Sequence, residues 1–288
     1  MAGLCAGQTV KSEAQMTENV ILISLAILPV IVLAIFIYRK DKFEKEPLRM
    51  LAKAFFFGCL SVIPAILIEQ ALALGFFYMG GEYVSGFVTG IYNGFIVAGC
   101  SEELCKLALL ALAVWKAPDF NEYFDGIVYA TFVALGFAGI ENIMYVLNQS
   151  TFESAIMTGG VRAILSVPGH FLFAVVMGYY FALAKFNPEK RRQNLLKAFV
   201  YPMLLHGTFD ALLMIPEAMG EDGTWLSAVL FPVFIFFDVK LWKVAMRHLN
   251  GLQEMSGQQN NDGSGYDGGY DQEPPRQGDA FSGFQWDV

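Results

Sequence analysis

The sequence predicts an all-α protein that crosses a lipid bilayer about seven times and carries a polar site inside the membrane. The chain is 55% hydrophobic and only 16% charged, whereas about a quarter of the residues of a soluble domain are charged. Several apolar runs reach the roughly 20 residues that a membrane-spanning helix needs, and none alternates like a barrel strand. Ionisable side chains recur inside these runs, where an unpaired charge is costly.

Seven apolar segments are predicted to be membrane spans. They cover residues 20–38, 51–78, 87–114, 124–147, 161–184, 198–215 and 225–246.

The connections between these spans alternate in basic residues. Lys and Arg cluster after the first and fifth spans and around the end of the seventh, whereas 79–86, 148–160 and 216–224 contain none. Because cytoplasmic loops accumulate Lys and Arg, we expect the N-terminus outside the cell and the C-terminus in the cytoplasm. The alternation fits all seven spans.

The chain divides into a membrane part and a polar tail. Residues 1–250 hold all the spans and form the predicted integral membrane domain. Residues 251–288 are rich in Gly, Gln, Asp and Asn, which predicts a disordered cytoplasmic tail because such a segment buries too little apolar surface. The net charge of −8 lies mostly outside the membrane, and no basic patch predicts nucleic acid as a partner.

The third span contains an acidic pair and a lysine, Glu102, Glu103 and Lys106. On a helix the lysine is four and three residues from the two glutamates, so its ammonium can reach either carboxylate. Adjacent carboxylates disfavour joint ionisation, which leaves one as a base while the other shares a proton. The structural alternative is a salt bridge that holds helices together.

The sixth span contains His206 and Asp210, four residues apart. This spacing places both side chains on one helix face, where the carboxylate can fix the tautomer and orientation of the imidazole. The alternative is a local pair with a purely structural role.

The fourth and fifth spans each contribute a further polar group. Glu141 and Asn142 follow small residues that let a neighbouring backbone approach, and an interhelical hydrogen bond is the structural alternative. His170 follows Pro168 and Gly169, which loosen the helix and are tolerated at this depth when buried or beside a watery cavity. A core histidine is the alternative there.

The predicted depths of these groups do not agree. With 1.5 Å of rise per residue, His206 lies about 12 Å, Glu102 about 18 Å, His170 about 21 Å and Glu141 about 25 Å from the cytoplasmic ends of their spans. The spread exceeds one hydrogen bond, so helix tilt or a cavity that opens outward has to bring the groups together.

Four motifs within residues 100–210 together resemble the PrsW family of intramembrane proteases, which is similar to the CAAX prenyl protease and bacteriocin-immunity group. The motifs are E-E-x-x-K at Glu102–Lys106, F-x-x-x-E-N at Phe137–Asn142, the segment Pro168–His170 and H-x-x-x-D at His206–Asp210.

The resemblance implies a membrane endopeptidase that cleaves membrane-anchored proteins, such as an anti-sigma factor, in a bacterial cell membrane. It implies four catalytic residues and four supporting ones: Glu102, Glu103, His170 and His206, with Lys106, Glu141, Asn142 and Asp210. In the resulting hypothesis Glu102 is the general base, and His206 ligates a metal or stabilises the oxyanion.

The metal stays open at this point. The family is classed among metalloproteases, and zinc held by His170, His206 and Glu141 would leave a position for water. No H-E-x-x-H motif occurs, so a metal-free glutamate–histidine mechanism is the alternative.

Two other functions are compatible with the same polar groups. In a transporter or proton-coupled channel the acids would relay protons or bind a cation, but no inverted repeat is evident. In a non-catalytic immunity or scaffold protein the polar core would serve packing alone.

Overall fold

The computed structural model describes residues 2–261, with side chains described from residue 15 onward, and this part of the chain is helical and contains no strand. Within it, six helical stretches are long and apolar enough to cross a membrane. They are Gln15–Lys40, Leu48–Tyr78, Asp125–Leu147, Phe152–Phe186, Pro188–Ala218 and Gly220–Asn261. The predicted all-α polytopic membrane bundle is confirmed.

Within residues 2–261, nine α-helices form the bundle. They are α1 (Ala2–Lys40), α2 (Leu48–Tyr78), α3 (Gly86–Tyr92), α4 (Ser101–Val114), α5 (Asp125–Leu147), α6 (Phe152–Ile164), α7 (Ser166–Phe186), α8 (Arg191–Ala218) and α9 (Thr224–Asn261).

Two of the predicted spans are built from more than one helix. The span predicted at 87–114 consists of α3, a π-helical segment (Asn93–Cys100) and α4, which follow one another without a loop. The span predicted at 161–184 begins in α6 and continues in α7. Each break in regular α-helix lies directly before residues of the polar site.

The two ends of the bundle differ in charge. Loops 41–47, 115–124 and 187–190, with their flanking Lys and Arg residues, form what we call the basic end. Loops 79–85, 148–151 and 219–223 contain no Lys or Arg and form the far end. The outward sides of the helices carry exposed apolar residues such as Leu67 and Leu112, as expected for a surface that faces lipid.

Helices α5 and α7 form the centre of the bundle and are buried along most of their length. They cross at two glycines: a Cβ atom on Gly178 would lie 2.4 Å from the carbonyl oxygen of Gly126. Helix α2 packs on the other side of α5, where a Cβ on Gly136 would lie 2.1 Å from the carbonyl oxygen of Phe55. Small residues therefore set the helix spacing, as is common in membranes.

A stripe of glycines joins α3 and the π-helical segment to α8. A Cβ on Gly90 would lie 2.5 Å from Ile215 Cα, on Gly94 2.7 Å from Ala211 N, and on Gly99 2.9 Å from Met203 O. The glycines of this stripe, Gly86, Gly90, Gly94 and Gly99, are spaced by four, four and five residues. The step of five falls in the π-helical segment, whose wider turn keeps Gly99 facing α8.

Helix α9 extends beyond the predicted last span. It continues to Asn261, so residues 251–261, expected as the start of a disordered tail, are helical. The reason is packing: Leu252 is fully buried, and the Ser256 hydroxyl accepts a hydrogen bond of 2.9 Å from the Phe124 backbone N–H. The rest of the predicted tail, 262–288, lies outside the described residues.

The glycine stripe makes a testable prediction. We expect Gly94→Leu to lower the free energy of unfolding by about 1–3 kcal/mol or more, because overpacking forces the π-helical segment away from α8. The matched control is Gly75→Leu, since a Cβ there meets nothing within 4 Å. Thermal unfolding of both variants in detergent compares them, and equal stability would contradict the proposed close approach.

Candidate active site

Four buried side chains from three helices converge in the interior of the bundle. Glu102 and Glu103 come from α4, His170 from α7 and His206 from α8. Each residue offers one atom that could ligate a metal, either a carboxylate oxygen or a histidine ring nitrogen. These four atoms all lie within 4.8 Å of one another. The fold therefore brings together all four residues that are predicted to be catalytic.

The observed helix bounds place the four polar groups at more similar depths than the predicted spans do. Counted from the basic end at 1.5 Å per residue, Glu102 lies about 18 Å, His206 about 22 Å, and His170 and Glu141 about 24 Å along their helices. The sequence prediction had placed His206 too shallow because α8 begins at Arg191 rather than at residue 198.

The ammonium of Lys106 lies at the centre of the cluster. It donates to Glu102 Oε2 at 3.0 Å, to Glu103 Oε1 at 2.8 Å and to His170 Nδ1 at 3.0 Å. It also lies 4.2 Å from the centroid of the Phe137 ring, a favourable cation–π contact. The expected contact with both carboxylates is confirmed, and Lys106 additionally joins α4 to α7.

His206 is held between carboxylates. Its Nδ1 lies 2.9 Å from Glu103 Oε1 and its Nε2 lies 3.2 Å from Asp210 Oδ2, so the predicted His206–Asp210 pair is formed. With both carboxylates ionised they only accept hydrogen bonds, so both ring nitrogens would donate and the ring would be an imidazolium. The Phe173 ring stacks on it at 4.8 Å between centroids.

His170 has the opposite character. An ammonium only donates, so His170 Nδ1 accepts from Lys106 and the Nε2–H donates to Glu141 Oε2 at 2.9 Å. The ring is therefore a neutral imidazole with its proton on Nε2. The two histidine rings lie 5.1 Å apart, edge to face, and the same cluster thus presents one neutral and one charged imidazole.

Arg162, at the end of α6, completes the surroundings of Glu141. Its Nη2 lies 2.8 Å from Glu141 Oε2, and its Nε donates to Asn142 Oδ1 at 2.9 Å. Asn142 in turn donates to the Ala26 carbonyl of α1 at 2.9 Å. Asn142 therefore positions Arg162 rather than contacting the cluster, and Arg162 is a functional residue that sequence reasoning did not include in the site.

The break in the fifth predicted span lies earlier than the Pro168–Gly169 pair. Leu165, with φ −110° and ψ −60°, separates α6 from α7, and Pro168 lies in the first turn of α7. Proline is tolerated there because the first N–H groups of a helix have no intrahelical partner. His170 therefore sits near the start of a continuous helix.

A cavity of about 940 Å³ extends from the cluster toward the far end of the bundle. Glu102, His170 and His206 line its inner end, whereas Glu103 and Lys106 do not line it. Its walls carry further acids, including Glu141, Asp210, Glu69 and, toward the mouth, Glu217.

Glu69 is a site residue that the sequence reasoning missed. It lines the cavity from α2 and accepts a hydrogen bond of 3.5 Å from the Ser101 hydroxyl, and among the described residues no cation forms an ion pair with it. The signal was present, since Glu69 is the only acid in 51–78 and an ionisable residue in a span marks a functional site by default.

The donor set fits a zinc ion. Two imidazoles and carboxylate oxygens within 4.8 Å are the ligand types that zinc takes in catalytic sites. Both nitrogens of each ring already have hydrogen-bond partners, so a ring can ligate only by exchanging one of them. The group differs from the expected ligand set: Glu141 lies outside it and receives His170 and Arg162 instead.

The comparisons with known proteins agree with these motifs. A family model described as "PrsW family intramembrane metalloprotease" matches residues 46–237. The chain is 38% identical over 227 residues to Protease PrsW of Clostridioides difficile (strain 630). The aligned residues make up 78% of this chain and 88% of that protein.

Two further relatives bear the same name. Protease PrsW of Geobacillus kaustophilus (strain HTA426) is 39% identical over 200 residues, 69% of this chain and 82% of its own length. Protease PrsW of Bacillus subtilis (strain 168) is 37% identical over 235 residues, which are 81% of this chain and 98% of that protein. No solved structure matches the chain.

The Arg162–Glu141 pair makes a testable prediction. We expect Arg162→Met to lower the free energy of unfolding by about 3 kcal/mol, because it leaves a buried carboxylate without its cation. Arg49→Met is the matched control, since Arg49 is 77% exposed in its ion pair with Asp119 and should lose less than about 1 kcal/mol. Unfolding in detergent measures the stability of both variants. Equal losses of unfolding free energy would show that the Arg162–Glu141 pair stabilises the fold no more than an exposed ion pair.

Proposed function

The chain belongs to the PrsW family of intramembrane metalloproteases and is an intramembrane protease, and from this premise we propose that Glu102 is the general base that activates water for peptide-bond hydrolysis. The supporting observation is that Glu102 alone of the acidic pair lines the cavity. Its second carboxylate oxygen is free of the Lys106 contact and available to take a proton from water.

Glu103 and Lys106 position the base in this proposal. The Glu103 carboxylate is 1% exposed and is occupied by both Lys106 and His206. It therefore holds two cationic groups in place instead of meeting water. Lys106 offsets part of the repulsion between the two adjacent carboxylates, which favours the ionised form of Glu102 that a general base requires.

His206 stabilises the charge that develops on the scissile carbonyl oxygen. It lines the cavity beside Glu102, with 3.9 Å between His206 Nε2 and Glu102 Oε2. An imidazolium fixed by Glu103 and Asp210 is a preorganised donor of positive charge. The ring proton can then pass to the leaving amine, and the proton that Glu102 takes from water can replace it across the 3.9 Å between His206 Nε2 and Glu102 Oε2.

His170 orients the attacking water once one of its ring nitrogens exchanges its present partner for that water. As a neutral ring it has no net charge to compete with Glu102, and its position is set by Lys106 on one nitrogen and Glu141 on the other. Arg162 and Asn142 fix Glu141 in turn. These residues act through His170 and are positioning residues.

We also propose that the metal of this family is zinc in this chain, which His170, His206 and Glu103 would hold. With zinc bound, His206 would ligate as a neutral imidazole instead of serving as the imidazolium, and Glu102 would remain free as the base. A zinc ion in this place would act as a Lewis acid toward the water and the scissile carbonyl. The metal-free alternative follows from the predicted relation to the CAAX prenyl protease and bacteriocin-immunity group, which stays a prediction.

The proposed substrate is a membrane-anchored protein of the anti-sigma-factor type in a bacterial cell membrane. With the basic end in the cytoplasm, as the distribution of Lys and Arg favours, the cavity opens to the outside and cleavage falls in the outer half of the bilayer. Membership of a protease family favours catalysis over the two alternative functions, a transporter and a non-catalytic scaffold, that the same acidic residues could serve.

Cleavage of a single-span substrate in liposomes tests the role of Glu102. We expect Glu102→Gln to lose at least about 100-fold in rate while its unfolding temperature is kept, because the amide cannot accept the proton. Glu82→Gln, an exposed glutamate of the far-end loop, is the matched control. Undiminished cleavage by correctly inserted Glu102→Gln would remove this residue from the mechanism.

Metal analysis of the purified protein tests the zinc proposal. We expect about one zinc per chain, lost in His170→Ala and in His206→Ala because each removes a ligand. His248→Ala is the matched control, since this buried histidine bonds the Val244 carbonyl outside the cluster and its loss should leave zinc bound. Active protein that holds no metal would instead support the glutamate–histidine mechanism.

A further inference from the structure

One side of the cavity wall is not closed by helix packing. Helices α6 and α8 both line the cavity, α6 through Val161 and Arg162 and α8 through residues from Asp210 to Ala218. In the described part of the chain, α6 packs on α1, α5 and α7 and makes no comparable packing contact with α8. A gap bounded by these two helices therefore opens from the cavity to the side of the bundle.

The break at Leu165 produces this gap. Below the break, α7 packs closely on α8, with Gly169 against the Phe209 ring. Above it, α6 leans toward α1, where a Cβ on Gly159 would lie 2.8 Å from the side chain of Leu25. The two halves of this span thus diverge, and the catalytic histidines lie at the floor of the opening.

The rim of the gap is apolar and exposed. Ile164 on α6 is 73% exposed, and Val161 and Leu213, which both line the cavity, are 50% and 40% exposed. A mostly apolar groove runs along α6 and shares Val161 with the cavity. It is lined by Phe152, Glu153, Ile156, Met157, Gly160, Val161 and Ile164.

Gly160 provides a notch in this groove. A Cβ at this position would meet nothing within 4 Å, whereas the neighbouring Gly159 is used for packing on α1. Small residues on an exposed helix face let the backbone of another helix approach closely. The groove therefore suits a helix that arrives from the lipid.

We propose that the gap between α6 and α8 is the lateral entrance through which the transmembrane helix of a substrate passes from the bilayer into the cavity. The inference rests on the proposed function, in which the substrate is membrane-anchored. A spanning helix cannot leave the bilayer through the ends of the bundle without exposing its apolar surface to water, so it must enter from the side.

The cavity behind the entrance suits a peptide better than a lipid chain. Its walls carry Glu69, Glu141, Asp210 and Arg162, and an acyl chain would displace water from these groups without offering them hydrogen bonds. A substrate helix that unwinds there exposes peptide N–H and C=O groups, and irregular backbone at this depth is tolerated only where it lines a watery or protein-lined cavity.

A bulky residue at the rim tests the entrance. Two substrates are compared, a single-span protein in liposomes and a soluble peptide with the same cleavage site in detergent. We expect Ile164→Trp to lower the ratio of protein to peptide cleavage on the order of tenfold, because it obstructs helix docking. Leu112→Trp, equally 73% exposed but on α4 away from the cavity, should leave the ratio unchanged. An unchanged ratio for Ile164→Trp would overturn the entrance.

Photocrosslinking provides the second measurement. A photoreactive residue at 164 or 112, in the Glu102→Gln background that leaves substrate uncleaved, is irradiated with the single-span substrate in liposomes. We expect a crosslink to the substrate's transmembrane segment from 164 and not from 112. Crosslinks from 164 to lipid alone would overturn the proposal. Failure of the wild-type protein to cleave either substrate would instead contradict the proposed function.

Discussion

The buried ammonium of Lys106 is the interaction on which the site depends. A cation with 1% exposure inside a membrane bundle is stable only if its charge and hydrogen bonds are satisfied locally. Glu102, Glu103 and His170 satisfy all three donors of the ammonium. Its position therefore fixes the two carboxylates next to each other, the tautomer of His170 and the distance between α4 and α7.

The backbone contributes by placing these charges at one depth. The glycine stripe lets α8 approach the π-helical segment so closely that His206 reaches Glu103 in the first turn of α4. The break at Leu165 brings Arg162 to Glu141 while α7 continues with His170. Both departures from regular α-helix thus serve the cluster, and the second also opens the side of the cavity.

Sequence reasoning predicted the helical bundle and the pairs within one helix, Glu102–Lys106 and His206–Asp210, because helical spacing determines both. It misjudged features that depend on neighbouring helices. The start of α8 at Arg191 and the helical residues 251–261 follow from packing rather than from hydropathy. Glu69 could have been predicted, because it is the only acidic residue of its span. The approach of Arg162 to Glu141 could not, because the helix break at Leu165 has no proline to mark it.

The most direct test of the central role of Lys106 is a double-mutant cycle between Lys106→Met and Glu103→Gln, read as free energies of unfolding in detergent. If the ammonium and the carboxylate stabilise each other, each single change removes one charged partner from the buried group that remains. The double mutant should then lose less than the sum by more than about 1 kcal/mol. Losses that add within about 0.5 kcal/mol would show that the two groups are independent and would contradict this account.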